Sequence, residues 1–174
     1  SICSTQGTCW ITIGSSLVND LAGLNVNNVS GTASFYAETF TRDLLPPTVA
    51  SFSLDLSNQA LTLTLSEAVN PSTINVSALV IQSNSNISTF GSLFHRLAGH
   101  NGLVINTSSG MYILTVQMIE KDANVLRSMQ FATSINNTYL SVDDGAFHDT
   151  AIPANPSMLI SPFSALQASS VKAD

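Results

Sequence analysis

The sequence predicts an all-β protein: a β-sandwich with one short helix, preceded by an N-terminal β segment. In residues 48–56 and 60–66, apolar side chains occupy alternate positions, and a period of two is typical of half-buried strands. Further short apolar runs are separated by turn residues, which favours an antiparallel sandwich over a parallel sheet. An internal repeat sets residues 1–43 apart from the rest of the chain.

The repeat relates the N-terminal region to the C-terminal region. Residues 10–22 align without a gap with residues 139–151, an offset of 129 positions (139 − 10). Residues 34–43 align with residues 165–174, an offset of 131 positions (174 − 43). Aromatic and apolar positions coincide, and Asp20 meets Asp149, but identities are few and a chance alignment is the alternative. The repeat predicts that residues 1–43 are built like residues 137–174.

Residues 1–43 are therefore predicted to be the closing strands of a module whose earlier strands they lack. Closing strands alone cannot bury their apolar face, since an isolated hairpin is marginally stable in water. We expect a partner surface to cover the apolar side chains of this segment, which are Trp10, Ile11, Ile13, Leu17, Val18, Phe35, Tyr36 and Phe40.

A stiff joint follows this segment. Proline fixes its own φ and biases the preceding residue towards extended geometry, so Pro46-Pro47 is a non-helical step. We predict two domains, residues 1–43 and 44–174, with Asp43, Pro46 and Pro47 as the linker.

The second domain is predicted to be mostly strand. The candidate strands are 48–56, 60–66, 73–83, 87–97, 102–107, 111–118, 138–143 and 158–171. Residues 119–131 break the pattern, because their apolar residues fall near helical spacing and Ala, Leu, Met and Glu are frequent. This stretch predicts a short helix across one end of the sandwich.

The composition excludes several kinds of partner. Charged residues make up 9% of the chain, against roughly 25% in typical soluble domains, so the predicted surface is polar through Ser, Thr and Asn. A net charge of −6 with five Lys and Arg cannot form a basic patch for nucleic acid. No apolar run approaches the ~18 residues of a membrane helix, so no membrane-spanning segment is predicted.

Cysteine usage and N-glycosylation sequons predict an extracellular protein. Cys3 and Cys9 enclose a five-residue loop containing Gly7, and a disulfide between them is expected in a secreted protein. Free thiols or a metal site are the weaker alternative, because no third Cys or His is near. The chain starts at Ser1 without a signal peptide, so we expect the mature or proteolysed part of a longer precursor.

Five N-glycosylation sequons are present, and their asparagines fall at predicted turns and strand ends. We predict covalent N-glycans on these residues, with unmodified, solvated turn asparagines as the alternative. The five asparagines are Asn28, Asn75, Asn86, Asn106 and Asn136.

Catalytic and metal chemistry is not predicted. Calcium binding is weakly supported, because it needs six to eight oxygen ligands and no dense acidic loop supplies them; turn-forming carboxylates are the better interpretation. The aspartates concerned are Asp20, Asp43, Asp55, Asp143, Asp144, Asp149 and Asp174. His95, His100 and His148 have no Cys or Glu at metal spacing, and no nucleophile elbow or phosphate loop occurs. No cofactor, no metal and no enzymatic activity are predicted.

Several stretches carry a family resemblance: Asp43 with Pro46-Pro47, residues 52–55, residues 61–69 and residues 70–75. They resemble the opening of tandem Ig-like repeats in large extracellular surface proteins, such as bacterial surface-layer Ig-like modules and their protist and algal relatives. Residues 18–23 are similar to the Asp-x-Ala-Gly-Asn turn that closes such modules; the second copy keeps Asp149 but lacks the Gly and Asn. The resemblance implies an Ig-like sandwich and a role as spacer, stalk or adhesive array, although fold likeness alone does not give function.

Two functions are compatible with these observations. The first is a structural subunit of an extracellular, glycosylated filament or surface array, in which identical subunits join head to tail through the N-terminal strands. The predicted contact residues are Trp10, Ile11, Ile13, Phe35, Tyr36 and Phe40. The alternative is an adhesin module of a tandem stalk that binds a carbohydrate or a cell-surface partner through loops at one end.

Overall fold

The computed structural model describes Cys3, residues 5–99, residues 105–108 by their backbone alone, and residues 110–173. The chain divides into two compact units. The N-terminal unit comprises Ser1–Leu44 with Ala151–Pro153, and the main unit comprises Leu45–Thr150 with Ala154–Asp174.

Short strands dominate both units. The N-terminal unit contains β1 (Trp10–Ile11) and β2 (Phe35–Tyr36). The described strands of the main unit are β3 (Val49–Asp55), β4 (Ala60–Leu65), β5 (Val69–Asn70), β6 (Leu79–Gln82), β7 (Phe94–Arg96), β8 (Ile105–Ser108), β9 (Ile113–Gln117), β10 (Tyr139–Val142), β11 (His148–Asp149), β12 (Leu166–Gln167) and β13 (Ser170–Lys172). One α-helix, α1 (Glu120–Ser128), separates β9 from β10.

Two sheets of the main unit form a β-sandwich. One sheet has the order β13-β3-β4-β9-β8, and the other has the order β12-β10-β6-β7. Neighbouring strands are antiparallel except β13, which runs parallel to β3. β5 and β11 form a separate antiparallel pair. The last two strands thus lie in different sheets: β12 in the four-stranded sheet and β13 in the five-stranded one.

Alternation along the strands builds the core between the sheets. In β4, Leu61, Leu63 and Leu65 are buried while Thr64 is exposed. Leu63 pairs with Phe52 of β3 on one side and with Leu114 of β9 on the other. These side chains share one apolar cluster with residues of the facing sheet, including Ile81 and Leu140. The period-two pattern in the sequence therefore corresponds to one buried face.

The predicted helix is present and is fixed to the sandwich by packing and by a buried carboxylate. Ala123 and Leu126 are fully buried. Asp122, in the first turn, is also buried; its two carboxylate oxygens accept hydrogen bonds from His95 Nε2 at 2.9 Å and from the Ala98 N–H at 2.9 Å. Asp122 thereby satisfies a half-buried backbone donor in the segment after β7, a role that sequence reasoning missed.

Several predicted strands were wrong in extent. Two 3-10 turns, Pro71–Thr73 and Val76–Ala78, occupy the start of the predicted strand 73–83; Asn70 Oδ1 accepts the Ser72 N–H and Asn75 Oδ1 accepts the Ser77 N–H. Only Phe94–Arg96 of residues 87–97 is a strand. The predicted strand 158–171 is interrupted and contributes β12, β13 and a single bridge at Ile160. Residues 102–104 of another predicted strand lie outside the described residues.

The predicted linker is divided between the units, since the boundary lies between Leu44 and Leu45. Pro47 is buried, and its carbonyl accepts a hydrogen bond from the Met158 N–H at 3.0 Å. Pro47 is therefore part of the main unit's framework, while Asp43 belongs to the N-terminal unit. Within the described residues, no helix has the length and apolar character needed to cross a membrane.

Candidate functional site

The described strands of the N-terminal unit form an antiparallel ladder with few residue pairs. Trp10 pairs with Tyr36, and Ile11 pairs with Phe35. The ladder continues as isolated bridges. Ile13 and Val29 exchange two N–H···O bonds of 2.8 Å, and Asn19 pairs with Asn25. A 3-10 turn, Gln6–Thr8, precedes the ladder.

The main unit contains the same ladder at the offsets found in the sequence. Each first partner lies 129 positions further on, and each second partner 131. The equivalent pairs are Tyr139 with Gln167, Leu140 with Leu166, Val142 with Ile160, and His148 with Pro156. Val142 and Ile160 also exchange two N–H···O bonds, of 3.0 and 2.9 Å. The sequence repeat is therefore a structural repeat, pair by pair.

The turn that precedes the ladder also agrees between the two units. The 3-10 turn Gln6–Thr8 corresponds to Ile135–Asn137, and both are closed by a reciprocal side-chain cap. Cys3 and Ala132 both have positive φ, 57° and 60°. Their N–H groups donate to equivalent carbonyls, those of Thr8 at 3.4 Å and Asn137 at 3.2 Å. The correspondence thus begins at residue 3, earlier than the sequence alignment indicated.

The two aligned aspartates hold equivalent turns. Asp20 Oδ1 accepts a hydrogen bond from the Leu24 N–H at 2.8 Å, and Asp149 Oδ1 accepts one from the Asn155 N–H at 2.8 Å. Asp149 Oδ2 also accepts one from Asn155 Nδ2 at 2.7 Å, which the Leu24 side chain has no group to donate. The carboxylates satisfy backbone donors in turns, as the sequence favoured.

The two units differ in the strands that pair with the ladder and bury its apolar face. In the main unit, β10 pairs with β6 on its second edge, β11 pairs with β5, and β13 pairs with β3. No described residue of the N-terminal unit takes these places. Leu140 is 0% exposed while its equivalent Ile11 is 57% exposed, and Phe147 is 1% exposed while Val18 is 57% exposed. The described residues between 3 and 43 therefore repeat the closing strands without the strands that cover them in the main unit.

The outer edge of β1 carries unused backbone donors. The Ile13 N–H points towards Val29, so those of Thr12 and Gly14 point to the opposite edge. Neither donates to a backbone carbonyl in the described part of the chain. In the main unit, the N–H equivalent to that of Gly14 belongs to Asp143 and donates to the Ala78 carbonyl at 2.9 Å. The edge of β1 is thus open where that of β10 is paired.

The predicted contact residues fall on two faces. Ile11, Ile13, Phe35 and Phe40 correspond to Leu140, Val142, Leu166 and Val171, all of which belong to the core or pack against it. Trp10 and Tyr36 correspond to Tyr139 and Gln167, of which Gln167 is exposed. The rings of Trp10 and Tyr36 contact each other edge to face, with centroids 5.8 Å apart. The sequence did not separate these faces, although strand alternation contains the signal.

The predicted disulfide is present. It joins two positions whose equivalents in the main unit are buried side chains. Cys3 and Cys9 are bonded, with their Cα atoms 4.1 Å apart. The equivalent residues, Ala132 and Thr138, are both 0% exposed. The same turn is therefore held by the core in the main unit and by a covalent bond in the uncovered copy.

The sequon asparagines are accessible where their side chains are described. Asn28, Asn75, Asn86 and Asn136 are exposed. The Oδ1 atoms of Asn75 and Asn86 accept hydrogen bonds from N–H groups two residues on, at 3.2 and 2.9 Å. Among described residues, neither Nδ2 atom, the atom that carries a glycan, has a hydrogen-bond partner. Asn106 lies in β8, and its side chain is outside the described part.

Other titratable residues take local roles. The N–H of Asn58, with smaller contributions from the Asn58 side chain and Lys172, lowers the pKa of Asp55. Asp143 pairs with Arg96 at 2.6 Å on the surface, and Asp144 is exposed in the following turn. His148 lies in β11, and its backbone N–H donates a hydrogen bond to Thr73 Oγ1 at 3.0 Å. His100 and Asp174 lie outside the described residues.

Comparison of the chain with protein-family models, with curated proteins and with solved structures finds no match. The candidate site therefore rests on its own geometry: an open strand edge, an uncovered apolar face, and a fully covered second copy of both.

The disulfide's role can be measured against its disulfide-free counterpart in the same chain. We expect reduction to speed amide exchange at Thr8 and Cys9 about 10- to 100-fold, since a disulfide across so short a loop is worth about 2 kcal/mol. The equivalent Asn137 N–H, bonded to Ser134, should be unaffected. Hydrogen exchange followed by NMR, with and without dithiothreitol, gives both rates. Unchanged exchange at Thr8 and Cys9 would contradict this role.

Proposed function

We propose that this protein is a structural subunit of an extracellular array of Ig-like modules. Residues 1–43 supply the closing strands of a module whose other strands belong to a neighbouring subunit, so that subunits join head to tail. The observation that carries the proposal is the pair-by-pair copy of the closing strands that lacks its cover.

The strand order supports the Ig-like part of the proposal. Ig domains place strands A, B, E and D in one sheet, and strands G, F and C, extended by C′, in the other. If β3, β4, β6, β7, β8, β9 and β10 are read as A, B, C, C′, D, E and F, the observed orders β3-β4-β9-β8 and β12-β10-β6-β7 follow. The last strand, G, then comprises β12 and β13, because the chain moves from one sheet to the other between them.

The energetics favour covering the N-terminal unit. Burying the three exposed side chains, Ile11, Val18 and Phe35, contributes about 5–9 kcal/mol, and the half-buried Ile13 and Phe40 add less. Association costs about 4–15 kcal/mol in lost freedom of motion, and pairing along the open edge of β1 adds hydrogen bonds that a side-chain contact alone does not. A head-to-tail interface of this kind does not close on itself, so it produces fibres.

The main unit sets a condition on this assembly. Its own closing strands already occupy the position that residues 1–43 of a neighbour would take. An identical subunit therefore accepts the N-terminal strands by exchanging them for its own residues 132–173. In a tandem stalk, a preceding module of the same type covers them without exchange.

Deletion of residues 1–43 tests the assembly. We expect the full chain to form filaments or higher oligomers and the variant starting at residue 44 to stay monomeric, because the deletion removes the uncovered apolar face. Ile11→Asp, which places a charge on that face, should also abolish assembly. Tyr36→Gln, which introduces the residue of the equivalent exposed position 167, is the control and should assemble. Negative-stain microscopy with light scattering gives the result. Filaments from the truncated chain would overturn the proposal.

The extracellular part of the proposal is supported by the disulfide, the exposed sequons and a surface poor in charge. When the protein is secreted from eukaryotic cells, we expect Asn75→Gln and Asn86→Gln each to remove one glycan mass. Asn70→Gln is the matched control, because Pro71 in its Asn-Pro-Ser sequence prevents modification. Intact-mass spectrometry before and after endoglycosidase treatment measures the change. A secreted protein without glycan at any sequon would contradict this prediction.

One observation favours the adhesin alternative. Phe90, Phe94 and Phe163 are more than half exposed. Phe94 lines a small cleft together with the Arg96–Asp143 ion pair, Ile87 and Pro162. An exposed ring beside a charged pair offers the stacking surface and hydrogen-bonding groups that a sugar ring requires.

If this cleft binds a carbohydrate, Phe94→Ala should weaken binding about tenfold through loss of ring contact. Leu21→Ala, which alters a fully exposed apolar residue of the N-terminal unit, is the control. A glycan array followed by calorimetry measures both variants. Absence of binding by the unaltered chain would remove this candidate.

A further inference from the structure

In the main unit, the strands that pair with the closing strands show which kind of strand the N-terminal unit lacks. β6 runs antiparallel to β10 with Leu140 opposite Ile81 and Val142 opposite Leu79. Translated by the repeat, Ile11 stands where Leu140 stands and Ile13 where Val142 stands. The open N–H groups of Thr12 and Gly14 point to the edge along which this strand would lie.

We infer that the open edge of β1 accepts an antiparallel strand of the Leu79–Gln82 type, in the register that sets Ile11 opposite the Ile81-type residue and Ile13 opposite the Leu79-type residue. This inference rests on the proposed function and names its partner: a segment equivalent to residues 45–131, whose core the apolar side chains of the N-terminal unit complete.

The chemistry of β6 explains why an uncharged partner is required. All four of its residues are buried, three of them with apolar side chains. The fourth, Gln82, donates from Nε2 to the Pro162 carbonyl at 2.9 Å. The residue equivalent to Pro162 in the N-terminal unit is Gly31, whose carbonyl accepts the Ser34 N–H at 3.2 Å and, in the inferred complex, accepts the partner's glutamine amide as a second donor. An apolar strand ending in a side-chain amide therefore fits this edge.

A second edge excludes a single peptide strand as the complete partner. β13 lies parallel to β3, with Val171 opposite Leu54. Phe40 is the equivalent of Val171, so residues 39–41 require a strand of the Ser53–Asp55 type beside them. Since β3 and β6 belong to different sheets, the partner supplies the opening strands of both sheets.

The core that would form retains the apolar pattern of the main unit at six inner positions. Relative to the main unit, Phe147 becomes Val18 and Ile160 becomes Val29, which removes volume. Four exchanges add volume: Val142 becomes Ile13, Ala146 becomes Leu17, Leu166 becomes Phe35 and Val171 becomes Phe40. Cores tolerate apolar exchanges that keep the pattern, and the added volume requires the partner's side chains to repack.

A chain carrying a second copy of the opening strands tests the inference directly. In this hybrid, residues 45–131 are joined to Cys3 and followed by the rest of the native chain, which preserves the spacing because residues 3 and 132 are equivalent. We expect the amides of Thr12 and Gly14 to exchange rapidly in the native chain under conditions where it is monomeric. In the hybrid they should exchange about 100-fold more slowly, because both join a ladder over a closed core. NMR hydrogen exchange measures both rates, with Asp143 as the internal reference.

Variants of the hybrid locate the contact. Ile11→Asp in the hybrid should restore fast exchange at Thr12 and Gly14, whereas Tyr36→Gln should leave it slow. If the unaltered hybrid fails to fold its first module, a back-substituted hybrid restores the main unit's core residues; it carries Ile11→Leu, Ile13→Val, Leu17→Ala, Val18→Phe, Leu24→Asn, Val29→Ile, Phe35→Leu and Phe40→Val. Fast exchange at Thr12 and Gly14 in both hybrids overturns the inference.

These outcomes are separable from those of the assembly experiment. Slow exchange in the hybrid supports the inference even if the native chain never forms filaments, in which case the array proposal alone fails. Filaments from the native chain together with fast exchange in both hybrids would support the array and reject this partner and register.

Discussion

The pairing of β10 with β6 is the interaction on which the rest of the fold depends. It joins the closing strands of the main unit to the opening strands and brings Leu140 against Ile81 in the shared core. The N-terminal unit retains the ladder and the first capped turn of the closing segment without this pairing and without those that β11 and β13 make with β5 and β3. Ile11 is exposed where Leu140 is buried. The closing strands therefore adopt the same conformation with or without the opening strands, but only the opening strands bury their apolar side chains.

The disulfide is consistent with this division between conformation and stability. In the main unit, Ala132 and Thr138 are held by burial; at the same positions the N-terminal unit has Cys3 and Cys9, joined covalently. A disulfide limits the unfolded conformations of a short loop without requiring apolar neighbours. The disulfide fixes the turn that starts the ladder, and in the proposed assembly a turn fixed beforehand lowers the ordering cost of association.

The parts of the fold that were predictable from sequence are those with local periodicity. Alternation located β3, β4 and β9, and helical spacing located α1. β6 was placed within a longer predicted strand, because a strand buried on both faces does not alternate and the capped 3-10 turns before it have no apolar period. The two-residue pair of β5 and β11 is too short for any periodicity. The Asp122–His95 contact joins residues 27 positions apart, which spacing rules do not reach.

Whether the proposed array is a filament of identical subunits or a tandem stalk depends on competition for one position in the module. Residues 132–173 are tethered to the opening strands of their own module, and a tether of this kind gives an effective concentration in the millimolar range. Residues 1–43 of a second subunit, at lower concentration, replace them only if their contacts are stronger or if the module opens transiently. The larger side chains of Phe35 and Phe40, relative to Leu166 and Val171, favour the incoming strands, whereas Val18 in place of Phe147 opposes them. Assembly between identical subunits therefore depends on how readily β10 separates from β6, while a covering segment on the same chain would face no competitor.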